Sequence, residues 1–151
     1  MQSVRQKMGV GIFQKCIQIN ETINISTEYI RIERTFMKTI YICNAFSINM
    51  LKDFEEATVI FHKATLSEVK EILNHAKQLD AKIVASIGHK DLANLVNQML
   101  DRTDNHTRND ITIDENDFIF IAQYKGERLP EGSTTLPENS QIVFYSVEVD
   151  Y

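Results

Sequence analysis

At 151 residues, with 43% hydrophobic and 9% aromatic residues, the chain has the size of one domain and enough apolar surface for an ordinary core. Cys16 and Cys43 lie far apart, outside any C-x-x-C or Cys/His cluster, which argues against a disulfide framework or a zinc ribbon. The net charge of −5 is uneven: residues 1–36 carry five Lys/Arg and three Glu, leaving −7 on residues 37–151, so the basic track that a long nucleic acid needs is missing from the main body.

Residues 1–36 alternate apolar and polar positions weakly (Ile23, Ile25, Ile30, Ile32) and read as an N-terminal extension of unassigned role. Met37 opens a better organised stretch, residues 37–151, and stands where a natural start would fall. Lys38 to Cys43 is β-branched and aromatic, a strand that gives way to a loop at Asn44-Ala45-Phe46-Ser47. Thr58 to His62 is a second strand. Thr65-Leu66-Ser67-Glu68 then reads as a capping box, Thr65 facing the helix amides and Glu68 reaching back. Leu66, Val69, Ile72, Leu73, Ala76 and Leu79 fall on one face at helical spacing, predicting a helix to about Asp80 with His75 on its polar side.

Lys82 to Ile87 is a short apolar strand, and Gly88-His89-Lys90-Asp91 leads into a second helix with Leu92, Leu95, Val96, Met99 and Leu100 on one side. Ile111–Ile113 and Phe118–Tyr124 flank the polar cluster Asp114-Glu115-Asn116-Asp117 and are expected to form a hairpin. Residues 125–132, with two glycines and a proline, form a loop, and Gln141 to Val149 closes the domain as a strand. About five strands and two main helices, without regular βαβ alternation, predict an α+β fold.

No P-loop, G-x-S-x-G, H-E-x-x-H or dinucleotide fingerprint occurs. Of the four histidines, His89 is distinctive because it follows a glycine at a helix start. Amides and the positive end of the helix dipole attract phosphate oxygen there, and an imidazole can exchange a proton near neutral pH. Arg108 and Arg128 sit among loop residues, where a guanidinium can fork onto phosphate. Asn44, Ser47 and Gln123 lie at or near strand ends, where amides and hydroxyls can read a base or a ribose. Taken singly, each of these residues is equally at home on an ordinary solvated surface. Spacing alone therefore stops at an α+β domain able to bind an anion.

Several segments together resemble one family. Tyr41-Ile42-Cys43-Asn44-Ala45-Phe46-Ser47-Ile48-Asn49-Met50-Leu51, then Ser86-Ile87-Gly88-His89, then Arg108, Gln123 and Arg128-Leu129-Pro130-Glu131-Gly132 are similar in order and spacing to the viral ring-nuclease anti-CRISPR family and its bacterial and mobile-element relatives. The resemblance covers Lys38 to about Val149. It implies a homodimer that binds cyclic tetra-adenylate across its two-fold axis and cuts it without metal or cofactor, switching off type III CRISPR signalling. It makes His89 the catalytic histidine, Arg128 and Glu131 a catalytic loop pair reaching the site from the other subunit, and Asn44, Ser47, Gly88, Arg108 and Gln123 residues around the ring. One departure stands out: the family usually has an acidic residue and two small hydroxyl residues after the histidine, whereas this chain has Lys90-Asp91-Leu92.

The implied reaction needs no external nucleophile, because each 2′-hydroxyl lies beside its own 3′-phosphodiester. His89 is expected to protonate the departing 5′-oxygen, a contribution of typically 10²- to 10⁴-fold, with Arg128 neutralising the phosphorane and Glu131 orienting His89. The products would be linear adenylates ending in 2′,3′-cyclic phosphate. A binder that sequesters the ring without cutting it, and a structural or partner-binding module of a mobile element, are the alternatives. No apolar run approaches the roughly 20 residues of a membrane span, and no signal-peptide pattern opens the chain, so the expected setting is cytoplasmic, with no membrane partner.

Overall fold

The computed structural model describes residues 39–151; the extension 1–36, the candidate start at Met37 and Lys38 lie outside them. In chain order the elements are strand β1 (Thr39–Cys43), a 3₁₀ turn (Ile48–Met50), β2 (Thr58–Ala64), helix α1 (Leu66–Gln78), β3 (Lys82–Ser86), helix α2 (Lys90–Leu100), β4 (Phe118–Lys125) and β5 (Gln141–Asp150). The five strands form one mixed sheet in the order β2-β5-β4-β1-β3, an α+β architecture as expected. β1 runs parallel to both β3 and β4, whereas β5 is antiparallel to β4 and to β2. Four strands therefore point the same way and β5 alone returns.

The period of two along each strand divides the sheet into two faces. Ile40, Ile42, Phe120, Ala122, Ile142 and Phe144 point to the face that carries both helices, where they meet Val69, Ile72, Leu73 and Ala76 of α1 and Leu92, Leu95 and Val96 of α2. Cys43, Ile119, Ile121 and Val147 point to the other face, which is covered by the 3₁₀ turn region and Ile111–Ile113 instead of by a helix. Burial pushes the Cys43 thiol up to about 12, because a thiolate would lose its water with no counter-charge to replace it.

The capping box forms as the sequence predicts. Glu68 N–H donates to Thr65 Oγ1 at 3.2 Å, and Thr65 N–H donates to Glu68 Oε2 at 2.7 Å. Two expectations need correction. His75 lies inside, 2% exposed, so it belongs to the buried side of α1; desolvation there lowers its pKa below the ordinary histidine value, against a smaller raising influence from Glu71. Neither of its ring nitrogens has a hydrogen-bond partner.

The expected hairpin between Ile111–Ile113 and Phe118–Tyr124 is absent. Asp114–Asp117 does close a turn, with Asp117 N–H donating to Asp114 O at 3.1 Å, but the two flanks do not pair with each other. Ile113 makes a parallel bridge to Leu51, and its N–H donates to Met50 O at 2.8 Å, while β4 takes β1 and β5 as neighbours. Both sides of β4 are thus occupied, and Ile111–Ile113 serves as a lid over the helix-free face. Tyr151 locks that lid: its hydroxyl accepts from Lys52 N–H at 2.9 Å and donates to Ile113 O at 2.6 Å.

Candidate functional site

Because β3, β1 and β4 are adjacent and parallel, their carboxyl ends open on one rim of the sheet, the place where α/β sheets commonly bind ligands. Asn44 follows β1 directly, Gly88 and His89 follow β3, and β4 continues past its last pairing with β1 (Cys43 with Ile121) to bring Gln123 and the loop after Lys125 to the same rim. The 3₁₀ turn begins there too, with Ser47 as its N-cap: the Ser47 hydroxyl accepts from Asn49 N–H at 3.3 Å. Topology alone thus collects residues that are scattered along the sequence.

His89 is the N-cap of α2. Its Nδ1 accepts from Leu92 N–H at 3.2 Å, satisfying one of the free amides of the helix start. Occupation of Nδ1 as an acceptor places the hydrogen of the neutral ring on Nε2. His89 is exposed, so the ring is open to solvent at the positive end of the helix. The ring's orientation is set by the backbone of its own helix; within one chain no hydrogen bond or ion pair links Glu131 to His89 among the described residues.

Arg108 is brought to His89 by an unusual route. β3 is an edge strand, and its outward backbone groups need partners. Residues 107–109, with no regular structure of their own, supply them. Thr107 N–H donates to Ile87 O at 3.2 Å, Asn109 N–H donates to Ser86 Oγ at 3.0 Å, and the Asn109 amide donates to Ala85 O at 3.3 Å. Arg108 sits between these clamps, and its side chain runs over Gly88 so closely that a β-carbon there would strike its Nε and Cγ. A side chain at position 88 would therefore displace the exposed Arg108 side chain.

The loop after β4 presents Arg128 and Glu131 on either side of Leu129, which is 9% exposed and plugged into the helix-side core. Arg128 and Glu131 are both exposed. Gly132 N–H donates to Asp91 Oδ2 at 3.0 Å, so this end of the loop is tied to the first turn of α2 in the same chain. The sequence had marked His89, Gly88, Arg108, Asn44, Ser47, Gln123, Arg128 and Glu131. It missed the parts played by Ser86, Thr107, Asn109 and Asp91, whose only sequence signal is a high density of Asn, Asp, Ser and Thr, common to most loops.

A mixed sheet with two helices on one face and a capped helix start at the rim of its parallel strands defines a small α+β domain. The chain belongs to the STIV B116-like family, whose model matches residues 40–146. Among solved structures it is similar to B116 of Sulfolobus turreted icosahedral virus (STIV), with a TM-score of 0.60 and 29% identity, covering 73% of this chain and 98% of that one. No curated protein matches. No helix among the described residues is long and apolar enough to cross a membrane.

Proposed function

We propose that the protein is a ring nuclease that cleaves cyclic tetra-adenylate to linear adenylates with 2′,3′-cyclic phosphate ends and so ends type III CRISPR signalling. The observation that carries this reading is the neighbourhood at the rim: exposed His89 caps α2 through Nδ1, and the Arg108 side chain lies across the adjacent Gly88. A phosphodiester drawn to the α2 N terminus meets amide dipoles, a guanidinium and an imidazole together. The 2′-hydroxyl attacks its own 3′-phosphate and loses its proton to solvent, while His89, protonated on both nitrogens and released from its cap, gives its Nε2 proton to the departing 5′-oxygen as the P–O5′ bond breaks. Arg128 and Glu131, on the loop after β4, complete the site of the other subunit in the dimer, with Arg128 balancing charge that grows on the phosphorane.

Substrate size follows from charge. Residues 37–151 carry −7, and the positive groups of the site are few and local, which suits a short closed ring over long RNA. Two copies related by a two-fold axis would place one His89 on each side of a four-membered ring, so the active species is a homodimer.

The test is incubation with labelled cyclic tetra-adenylate in excess chelator. Linear products bearing 2′,3′-cyclic phosphate are expected, with a dimer mass by light scattering. Tight binding without cleavage would reduce the protein to a sequestering one. Comparable cutting of a long unstructured RNA would make it a general ribonuclease.

A further inference from the structure

We propose that Asp91 is a positioning residue: its carboxylate latches the loop of residues 126–133 to the first turn of α2 and thereby sets where Arg128 and Glu131 stand. The argument starts with Gly132, which has φ +79, in the left-handed region that glycine enters without strain. A β-carbon at Gly132 would meet nothing within 4 Å, so glycine serves conformation there and not space. In that conformation its N–H is delivered to Asp91 Oδ2 at 3.0 Å across 41 positions of sequence.

The rest of the loop is tightened from within. Ser133 N–H donates to Pro130 O at 3.2 Å, closing a turn over residues 130–133, and Leu129 fixes the other end by burial. Glu131 lies inside that turn and Arg128 directly precedes Leu129. Of the three restraints, only the Asp91 bond originates on the helix that carries His89. Without it the turn is held only by its own Ser133–Pro130 bonds and by packing, and the loop's charges lose one of the restraints on where they stand.

The latch also accounts for a carboxylate at a position that should attract phosphate. A free carboxylate in the first turn would compete with an incoming anion for the helix amides. Asp91 is half-buried and engaged by Gly132, which directs one of its oxygens to the loop.

The consequence for turnover rests on the ring-nuclease reading; the existence of the latch does not. Exchange of the Gly132 amide is measured first without ligand, in wild type, Asp91→Ala and Asp91→Asn. The alanine variant is expected to exchange several-fold faster and the asparagine variant, whose Oδ1 can still accept, to stay near wild type. An unchanged rate in Asp91→Ala overturns the latch, whatever the activity. Cleavage of cyclic tetra-adenylate is measured next: Asp91→Ala should lose about tenfold in kcat/KM through both terms, with recovery in Asp91→Asn. A role in helix-dipole stability alone would give the opposite pattern, because asparagine removes the charge and would fail to restore the melting temperature while leaving kcat/KM untouched. Faster exchange with unaltered kcat/KM also overturns the positioning role. If wild type binds the ring but does not cut it, the activity reading fails, and the exchange result alone decides the latch.

Discussion

Arg108 crosses Gly88 so closely that a β-carbon there would strike it, one residue before the histidine that caps α2, so the Arg108 side chain runs where a side chain at position 88 would stand. Gly88→Ala should therefore act through Arg108. Gly88 has no left-handed φ to strain, and the fold should hold. Affinity for cyclic tetra-adenylate should fall about tenfold, ~1.4 kcal/mol. In a double-mutant cycle, Gly88→Ala added to Arg108→Ala should cost little more than Arg108→Ala alone, measured by calorimetry. Additive losses would separate the two residues.

His89 has two tasks that substitution can split. Asparagine is a good N-cap, whereas alanine loses about 0.5–2 kcal/mol of capping. His89→Asn should keep the wild-type melting temperature and ring affinity yet lose cleavage, while His89→Ala should lose cleavage and some stability. Wild-type cleavage in either variant would remove His89 from the mechanism.

Arg128→Ala should behave differently from both. A guanidinium meets charge already present on the bound ring and more charge in the transition state, so KM should rise and kcat should fall together. Steady-state kinetics across 50–300 mM salt, a range set by roughly one Debye length of screening, should show the KM effect shrinking as salt rises.

His75 gives a pH signature with a definite sign. Its folded pKa is lowered by desolvation, so the unfolded chain takes up the proton first as acidity increases. The stability tied to neutral His75 is full above the ordinary histidine pKa and declines as pH falls from there toward the lowered folded value. His75→Leu also removes two buried nitrogens without partners. Its melting temperature should match or exceed wild type at pH 7 and should fall less between pH 7 and pH 5, both read by calorimetry over roughly the span where histidine titrates.

Cys43, 1% exposed and with its thiol raised to about 12, should resist alkylation at pH 8 in the folded protein and react within minutes in denaturant, as read by peptide mass. Rapid labelling of native Cys43 would mean that the end of β1 opens readily.

The sequence disclosed whatever its local periodicity encodes. The strand from Thr58, the capping box at Thr65 and Glu68 and the apolar stripe of α2 are all statements about residues within a few positions of one another. What escaped was long-range. Ile113 looked like a hairpin partner for its neighbour β4, but β1 and β5 already occupy both sides of that strand, and Ile113 pairs with Leu51 instead. His75 reads as part of the polar side of α1, yet its position on the helix turns it inward. At the site, His89 was legible from the glycine and helix start around it, whereas the bonds from Asn109 to Ser86 and from Gly132 to Asp91 span 23 and 41 positions and leave no periodic trace.

The place of β1 in the sheet also dictates an order of assembly. It is the first described strand and it sits between β3 and β4, both of which come later in the chain. As the polypeptide emerges, β1 has no neighbour until residue 86 and only one until β4 is complete, and β2 must wait for β5 at the far edge. Such sequence-distant pairings carry the loop-closure cost that slows folding to roughly milliseconds or longer. The nascent chain therefore carries unpaired apolar strands through most of its synthesis. The part of the rim that Gln123 and the loop after Lys125 supply is added only when β4 closes the sheet around β1.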